Sequence, residues 1–365
     1  MILFVGPVPT ARNERDGMVQ RVSAIDQVFS GTARVLIEPS LRRHLRLIPR
    51  REVRGELTVY WLNSVLHFPL VLLLTVRSQF IYVHSVYMSL LVLPIYLTQK
   101  VVTDLHGAVP EELQSMGHKI LGLLYQLVER LVIHRSVSCV YVTQAMAEHV
   151  KHKYQSSHKY YVIPIFQNTA AAHLDAYERL GSWQKQPYSV VYSGGVQKWQ
   201  CVDSMLAAVS KAPVFLDFIF LSGSESHLLF LIRRQHLETR VQVKSVPQSE
   251  IGEYYLHASM GFMLRESSVI NRVACPTKLS EYLSWGVVPI VMAPDIGDFG
   301  REGYKYVTLE DFIAGRLPLA GELDQMRTNN YRVVRRLAAK SNSDMQKLQD
   351  HYGVQHNKTC EIGLC

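Results

Sequence analysis

The sequence predicts an α/β protein of two doubly wound, Rossmann-like domains. Three observations carry that expectation. A chain of 365 residues exceeds the usual size of one hydrophobic core. Short, near-continuous apolar runs alternate with longer amphipathic ones, the pattern of parallel strands covered by helices on both faces. The alternation pauses once, at 164–188, where Pro164 and Pro187 flank a stretch without clear period.

The first domain is read as 1–165. Its strands are expected at 2–5, 33–37, 57–62, 80–84, 100–104, 137–142 and 160–163. Helical periodicity falls at 17–29, 67–77, 87–97, 111–135 and 145–154. The linker is placed at 166–187. The second domain is read as 188–329, with strands at 189–193, 215–221, 241–246, 260–264 and 287–292. Its helices are expected at 202–212, 225–236, 249–257 and 277–285, and a last helix at about 330–351.

Composition describes a folded globular protein, with 48% apolar and 19% charged residues. The five cysteines, Cys139, Cys201, Cys275, Cys360 and Cys365, are odd in number and scattered. They form no CxxC or Cys/His pattern, so a reducing compartment and no structural zinc are expected. The N-terminal MILFVGPVP begins as a strand without a basic leader. The longest greasy run, 65–76, holds His67 and Pro69 and is shorter than the about 20 apolar residues a spanning helix needs. A cytoplasmic protein is expected.

Charge is unevenly placed. Residues 1–165 hold 18 Lys and Arg against 11 Asp and Glu, whereas 166–365 hold 21 against 20. Arg42, Arg43, Arg46, Arg50, Arg51 and Arg54 crowd one segment, interleaved with Leu41, Leu45, Leu47 and Ile48. Such a mixture suits peripheral contact with an anionic membrane. A solvated loop is the plainer reading. Nucleic acid is a third, without any recognition motif behind it, and no nucleic-acid partner is expected.

The most informative stretch is 260–293. It reads as buried strand, polar loop, short helix and second buried strand. Pro276 suits the first helical turn and Gly286 the position just past the last. The loop thus brings the backbone N–H groups near Thr277 and Lys278 to a helix N-terminus, a site for phosphate. One turn on, Glu281 can hold a pair of sugar hydroxyls, which suits a nucleotide with its ribose beside its phosphates. A solvated helix face is the alternative for Glu281.

This segment resembles the donor-binding segment of GT-B glycosyltransferases of family 4 (glycosyl transferases group 1). The resemblance rests on Pro276-Thr277-Lys278, Glu281-Tyr282-Leu283, Gly286 and Pro289-Ile290-Val291. It extends to Tyr192-Ser193-Gly194-Gly195-Val196-Gln197-Lys198-Trp199-Gln200, a strand ending in two glycines that allow close backbone approach to an anion. The family's diphosphate-clamping Arg and Lys would fall at Gly195 and Gln200. Positive charge must then come from Lys278 first, Arg265 second, or from Lys198 or Arg272. The first of the family's two glutamates would fall at Val273. The polar run 267–272, with Asn271, is left to supply its sugar contact.

In the first domain, Asp104-Leu105-His106-Gly107 resembles the family's D-x-H-G element, followed by the acidic pair at Glu111-Glu112. His106 is the counterpart of the sugar-contacting histidine, or a structural one; His84 is similarly placed. Gly17, after a long loop from the first strand, matches the glycine that faces the donor diphosphate, or is an ordinary N-cap glycine.

The resemblance implies a GT-B fold with an interdomain cleft and a last helix crossing back onto the first domain. It implies a retaining sugar transfer from a nucleotide-diphosphate sugar to a glycan or lipid-linked acceptor, of bacterial surface-polysaccharide type. No metal and no cofactor beyond the donor are implied. A GT-B nucleotide-sugar 2-epimerase and a catalytically silent partner subunit remain as alternatives.

Overall fold

The computed structural model describes residues 1–11, 13, 16–98, 100–164, 185–186 and 188–352. Apart from Lys185 and Gln186, the expected linker lies outside the described residues, as do Cys360 and Cys365. The chain divides into two compact units. The described part of one runs to residue 164 and includes the chain from Lys340; the other ends at Ala339.

The first unit is an eight-stranded sheet. Its strands are β1 (Ile2–Val5), β2 (Arg34–Ser40), β3 (Arg50–Arg54), β4 (Leu57–Asn63), β5 (Phe80–His84), β6 (Val101–Leu105), β7 (Ser138–Tyr141) and β8 (Lys159–Val162). They lie in the order β3-β4-β2-β1-β5-β6-β7-β8. Every pairing is parallel except β3 with β4. The helices are α1 (Gly17–Val28), α2 (Phe68–Arg77), α3 (Ser85–Leu91), α4 (Val109–Ser115), α5 (Lys119–Arg135) and α6 (Gln144–Tyr154). Apolar alternation explains the layering. Phe4, Leu36, Val59, Tyr82, Val102 and Val140 share one buried face with Val22 and Ile25 of α1. Met345 and Leu348, near the end of the last helix, complete that cluster.

Three expectations need correction here. β3 is an extra, antiparallel edge strand whose residues Arg50, Arg51 and Arg54 are too polar to read as a strand. It is stabilised by pairing and by cross-strand stacking, with Arg50 4.2 Å from the centre of the Trp61 ring. The expected helix at 111–135 is two helices. Gly117 adopts φ +85°, and the amides of Gly117 and His118 bond back to Gln114 and Leu113, a left-handed C-terminal cap. The expected helix at 87–97 ends at Leu91, before Pro94, and a 3₁₀ turn, Leu93–Thr98, follows.

The second unit has six parallel strands: β9 (Ser189–Ser193), β10 (Asp217–Leu221), β11 (Val241–Lys244), β12 (Met260–Phe262), β13 (Val288–Val291) and β14 (Val307–Thr308). Their order, β11-β10-β9-β12-β13-β14, is the doubly wound order with its reversal between β9 and β12. Ligands in such sheets sit beyond the carboxyl ends of the strands at that reversal. The loops leaving β9 and β12 are those that carry Gly194–Gln200 and Arg265–Lys278. In the first unit the reversal falls between β1 and β5, which places the loop before Gly17 and the end of β5, His84, at the equivalent edge. The last helix, Ala320–His351, begins earlier than expected.

Candidate functional site

The Thr277–Ser284 helix is seated by its own sequence. Gly286 adopts φ +67°, with the Gly286 amide on Leu283 O and the Val287 amide on Tyr282 O, so the helix stops where the sequence indicates. Leu279, Tyr282 and Leu283 are fully buried. The helix starts at Thr277, as expected: Pro276 is its N-cap and has no side-chain acceptor for the first amides. Those amides therefore point from the reversal edge of the sheet without a capping side chain, which makes this end fit to receive an anion.

Helix α1 differs. Asp16, not Gly17, is its N-cap, and the Asp16 carboxylate accepts from the amides of Met18 and Val19. Gly17 is the first helical residue rather than an N-cap glycine, and nothing lies within 4 Å of where its Cβ would be. An anion approaching this end meets amides already engaged by a carboxylate.

Around the second helix the positive groups converge. The Lys278 ammonium donates to Gln200 Oε1 at 2.8 Å and lies 4.2 Å from the centre of the Tyr192 ring. Burial and the nearby Arg265 charge pull its pKa down to about 7. Gly194 has φ +149°, and a Cβ there would come within 2.9 Å of the Lys278 ammonium. The double glycine thus lets the β9 loop and the lysine share one space. Tyr192 donates its hydroxyl to Gly195 O and fixes the turn. Lys198 is exposed. Arg265, three residues past the end of β12, donates to Asn271 Oδ1 at 3.2 Å. Asn271 is buried in a five-residue helix, Val269–Val273, capped by Ser268, where only a polar loop was expected; its amide also donates to Glu266 O.

Glu281 is 7% exposed, which excludes a solvated helix face. It accepts from Tyr255 Oη at 3.1 Å and from Gln248 Nε2 at 3.4 Å. Burial raises its pKa to about 7, against the Tyr255 hydrogen bond and the Lys278 charge, which lower it. With Gln248, Ser249, Gly252, Tyr255 and Trp285 it lines a small pocket. Tyr255 also bonds Ser193 at the end of β9, so the carboxyl group is braced from the strand as well as from its own helix.

The first unit holds a second polar cluster. Asp104, fully buried at the end of β6, takes Arg21 Nε on Oδ2 and Arg21 Nη2 on Oδ1, both at 2.9 Å. Burial works to raise the Asp104 pKa, but Arg21 and the neighbouring histidines overcome it and hold the group well below the carboxylate range. His84 Nδ1 lies 3.4 Å and His106 Nδ1 3.8 Å from Asp104 Oδ2. His84 is fully buried and burial lowers its pKa, whereas His106 remains partly open. His106 thus has an ionised neighbour on one side and access to solvent on the other.

Sequence reasoning missed Arg21 and Tyr255. Arg21 stands one turn after Gly17 on a face otherwise apolar, a position where a charge needs a buried partner. Tyr255 carried no signal, because its role follows from the approach of a distant helix. Among the described residues, no group of three or more His, Cys, Asp or Glu side chains could hold a metal ion.

No protein-family model matches the sequence, and no curated protein matches it. Solved structures do. Anabaena Alr3699/HepE, in a complex with UDP and glucose, aligns with a TM-score of 0.66 and 12% identity over 96% of this chain and 99% of that one. Sucrose-phosphate synthase from Thermosynechococcus elongatus aligns with a TM-score of 0.66 and 12% identity, over 97% and 100%. A UDP-forming α,α-trehalose-phosphate synthase from Burkholderia vietnamiensis gives 0.62 and 11%, over 96% and 97%. At these identities the likeness establishes the fold: α/β, of GT-B type, with two Rossmann-like domains.

Proposed function

We propose that this protein transfers a hexose, with retention of configuration, from a nucleotide-diphosphate sugar to a glycan or lipid-linked acceptor in surface-polysaccharide biosynthesis. One observation carries the reading. Lys278 and Glu281, one turn apart on an uncapped helix, lie at the reversal edge of the second sheet, braced by Gln200 and Tyr255 from other elements. The solved structures of similar fold include complexes with UDP and with UDP-glucose, which supports a nucleotide-sugar donor.

The division of labour follows from the chemistry. The ionised Glu281 accepts from the two ribose hydroxyls. The amides at Thr277 and Lys278, the Gly194-Gly195 turn and the Lys278 ammonium receive the diphosphate, with Arg265 adding charge from beside Asn271. When the bond between the anomeric carbon and the diphosphate oxygen breaks, negative charge grows on that oxygen, and fixed N–H dipoles and Lys278 stabilise it. The acceptor hydroxyl forms the new bond to the same carbon, and its proton passes to the departing diphosphate. His106 is the first unit's donor to a sugar hydroxyl. A screen of nucleotide sugars by thermal shift, followed by product analysis with and without acceptor glycans, tests the reading. Donor-dependent glycan extension is expected. Conversion of the donor's sugar without any acceptor points instead to an epimerase, and donor binding without turnover to a silent subunit.

A further inference from the structure

The connection between β2 and β3 presents greasy and cationic side chains together from a rigidly held backbone. Asn63 Nδ2 donates to Leu41 O and Arg43 O, both at 3.1 Å. The Asn63 N–H donates to His67 Nδ1 at 2.8 Å, which leaves the Nε2–H to donate to Arg46 O at 2.8 Å. Asn63 and His67 are both buried. The loop is therefore tied at three points to the end of β4 and the start of α2. Its outer surface is apolar: Leu47 is 85% and Ile48 83% exposed, and Leu41 and Leu45 are also exposed. Val65 and Leu66, whose amides donate to Asn63 Oδ1, extend the patch. Arg42, Arg43 and Arg46 stand exposed among them.

Apolar side chains held in water by fixed backbone bonds gain free energy when they are buried. A second copy of this chain covering the patch through a two-fold axis would bring both sets of three arginines together, which is repulsive. An anionic lipid surface takes both kinds of group at once, acyl chains for the leucines and phosphates for the arginines. The excess of basic residues in 1–165 has the same sign. We propose that the 41–49 loop, with Val65 and Leu66, docks this protein on an anionic bilayer. The outer faces of α2 and α5 also expose leucines: Leu72, Leu73, Leu124 and Leu127. Their crossovers, β4 to β5 and β6 to β7, run in one direction along the sheet, so right-handed connection puts both helices on one face. Arg50, Arg51 and Arg54 belong to β3 instead, where Glu52 pairs with Arg50 and Arg54.

The loop belongs to the first unit and the donor residues to the second, and the inference rests on the proposed function, whose acceptor side it deepens. The test is sedimentation of the full chain with phosphatidylcholine vesicles with and without phosphatidylglycerol. Each variant's melting temperature and nucleotide-sugar binding are measured alongside. The wild type is expected to bind the anionic vesicles and release them at high salt. The triple variant Leu45→Ser, Leu47→Ser, Ile48→Ser is expected to lose at least about tenfold in vesicle affinity, with unchanged melting and donor binding. Changing Arg42, Arg43 and Arg46 to Ser is expected to abolish the preference for anionic lipid. Equal vesicle binding by the wild type and the apolar triple variant overturns the proposal. So does a wild type that ignores anionic vesicles, or a dimer that the triple variant dissociates.

Discussion

The Lys278 ammonium is held by Gln200, at 2.8 Å, over the face of the Tyr192 ring. Gln200 stands where the resemblance to family 4 would put a lysine. The amide here supports a lysine contributed by another element, so a positive charge stands beside the β9 loop although positions 195 and 200 carry none.

Lys278→Met is therefore expected to weaken nucleoside diphosphate binding by about 10- to 100-fold, or about 1.5–3 kcal/mol, the range of a charged hydrogen bond. Affinity for the bare nucleoside should be unchanged. Calorimetric titration of both ligands checks this. An equal loss for the two would place Lys278 away from the phosphates.

Donor affinity is expected to peak near neutral pH. Lys278 loses its charge as pH rises through about 7, which removes attraction for the diphosphate. Glu281 gains a proton as pH falls through about 7, which removes an acceptor for hydroxyls. Lys278→Met should flatten the alkaline limb and Glu281→Gln the acid limb, both measurable as Kd against pH.

Glu281 also costs stability in the ligand-free protein. Its folded pKa of about 7 stands above the ordinary carboxyl value of 4.5, so the folded state keeps a proton that the unfolded chain releases between those values. Its contribution is most favourable below about pH 4.5 and declines as pH rises to about 7. Glu281→Gln should accordingly melt close to wild type at pH 4.5 and higher than wild type at pH 8, by about 1–3 kcal/mol. A variant that melts lower at pH 8 would contradict the assignment of burial as the cause.

The two glycines of the β9 loop differ in what they tolerate. Gly194→Ala combines a strained positive φ with displacement of the Lys278 ammonium. A loss of about 1–2 kcal/mol in stability is expected, with a further drop in diphosphate affinity. Differential scanning calorimetry and titration separate the two effects.

In the first unit, Asp104→Ala leaves Arg21 charged and buried without its carboxylate. A loss of about 3–5 kcal/mol is expected. Replacing both, by Arg21→Met with Asp104→Leu, should recover most of the loss in a denaturant melt. If Asp104→Ala melts like wild type, the pair is not the brace that the two 2.9 Å contacts imply.

Much of this was legible from local pattern. Pro276 and Gly286 delimit a helix within one residue because capping is set by neighbours in sequence. The apolar runs give the parallel strands for the same reason. Gly117 carried a readable stop signal, a glycine inside a helical period, that periodicity alone overrode. Other features depend on long-range approach. Arg50–Arg54 forms a strand only because Leu57–Asn63 pairs with it. Arg21 meets Asp104 across 83 residues of chain. Tyr255 and Gln248 reach Glu281 only through the packing of the Thr277–Ser284 helix against the β9 side of the sheet. Glu281 itself was found by spacing, but its burial and raised pKa follow from that packing.

The most direct measurement is titration of UDP and GDP, by calorimetry, into the wild type and Glu281→Ala. Micromolar binding of at least one of them by the wild type is expected, weakened about tenfold or more in the variant as a buried charged hydrogen bond is lost. Equal affinity in the two proteins, or no binding of either nucleotide, would contradict a nucleotide seated against Glu281.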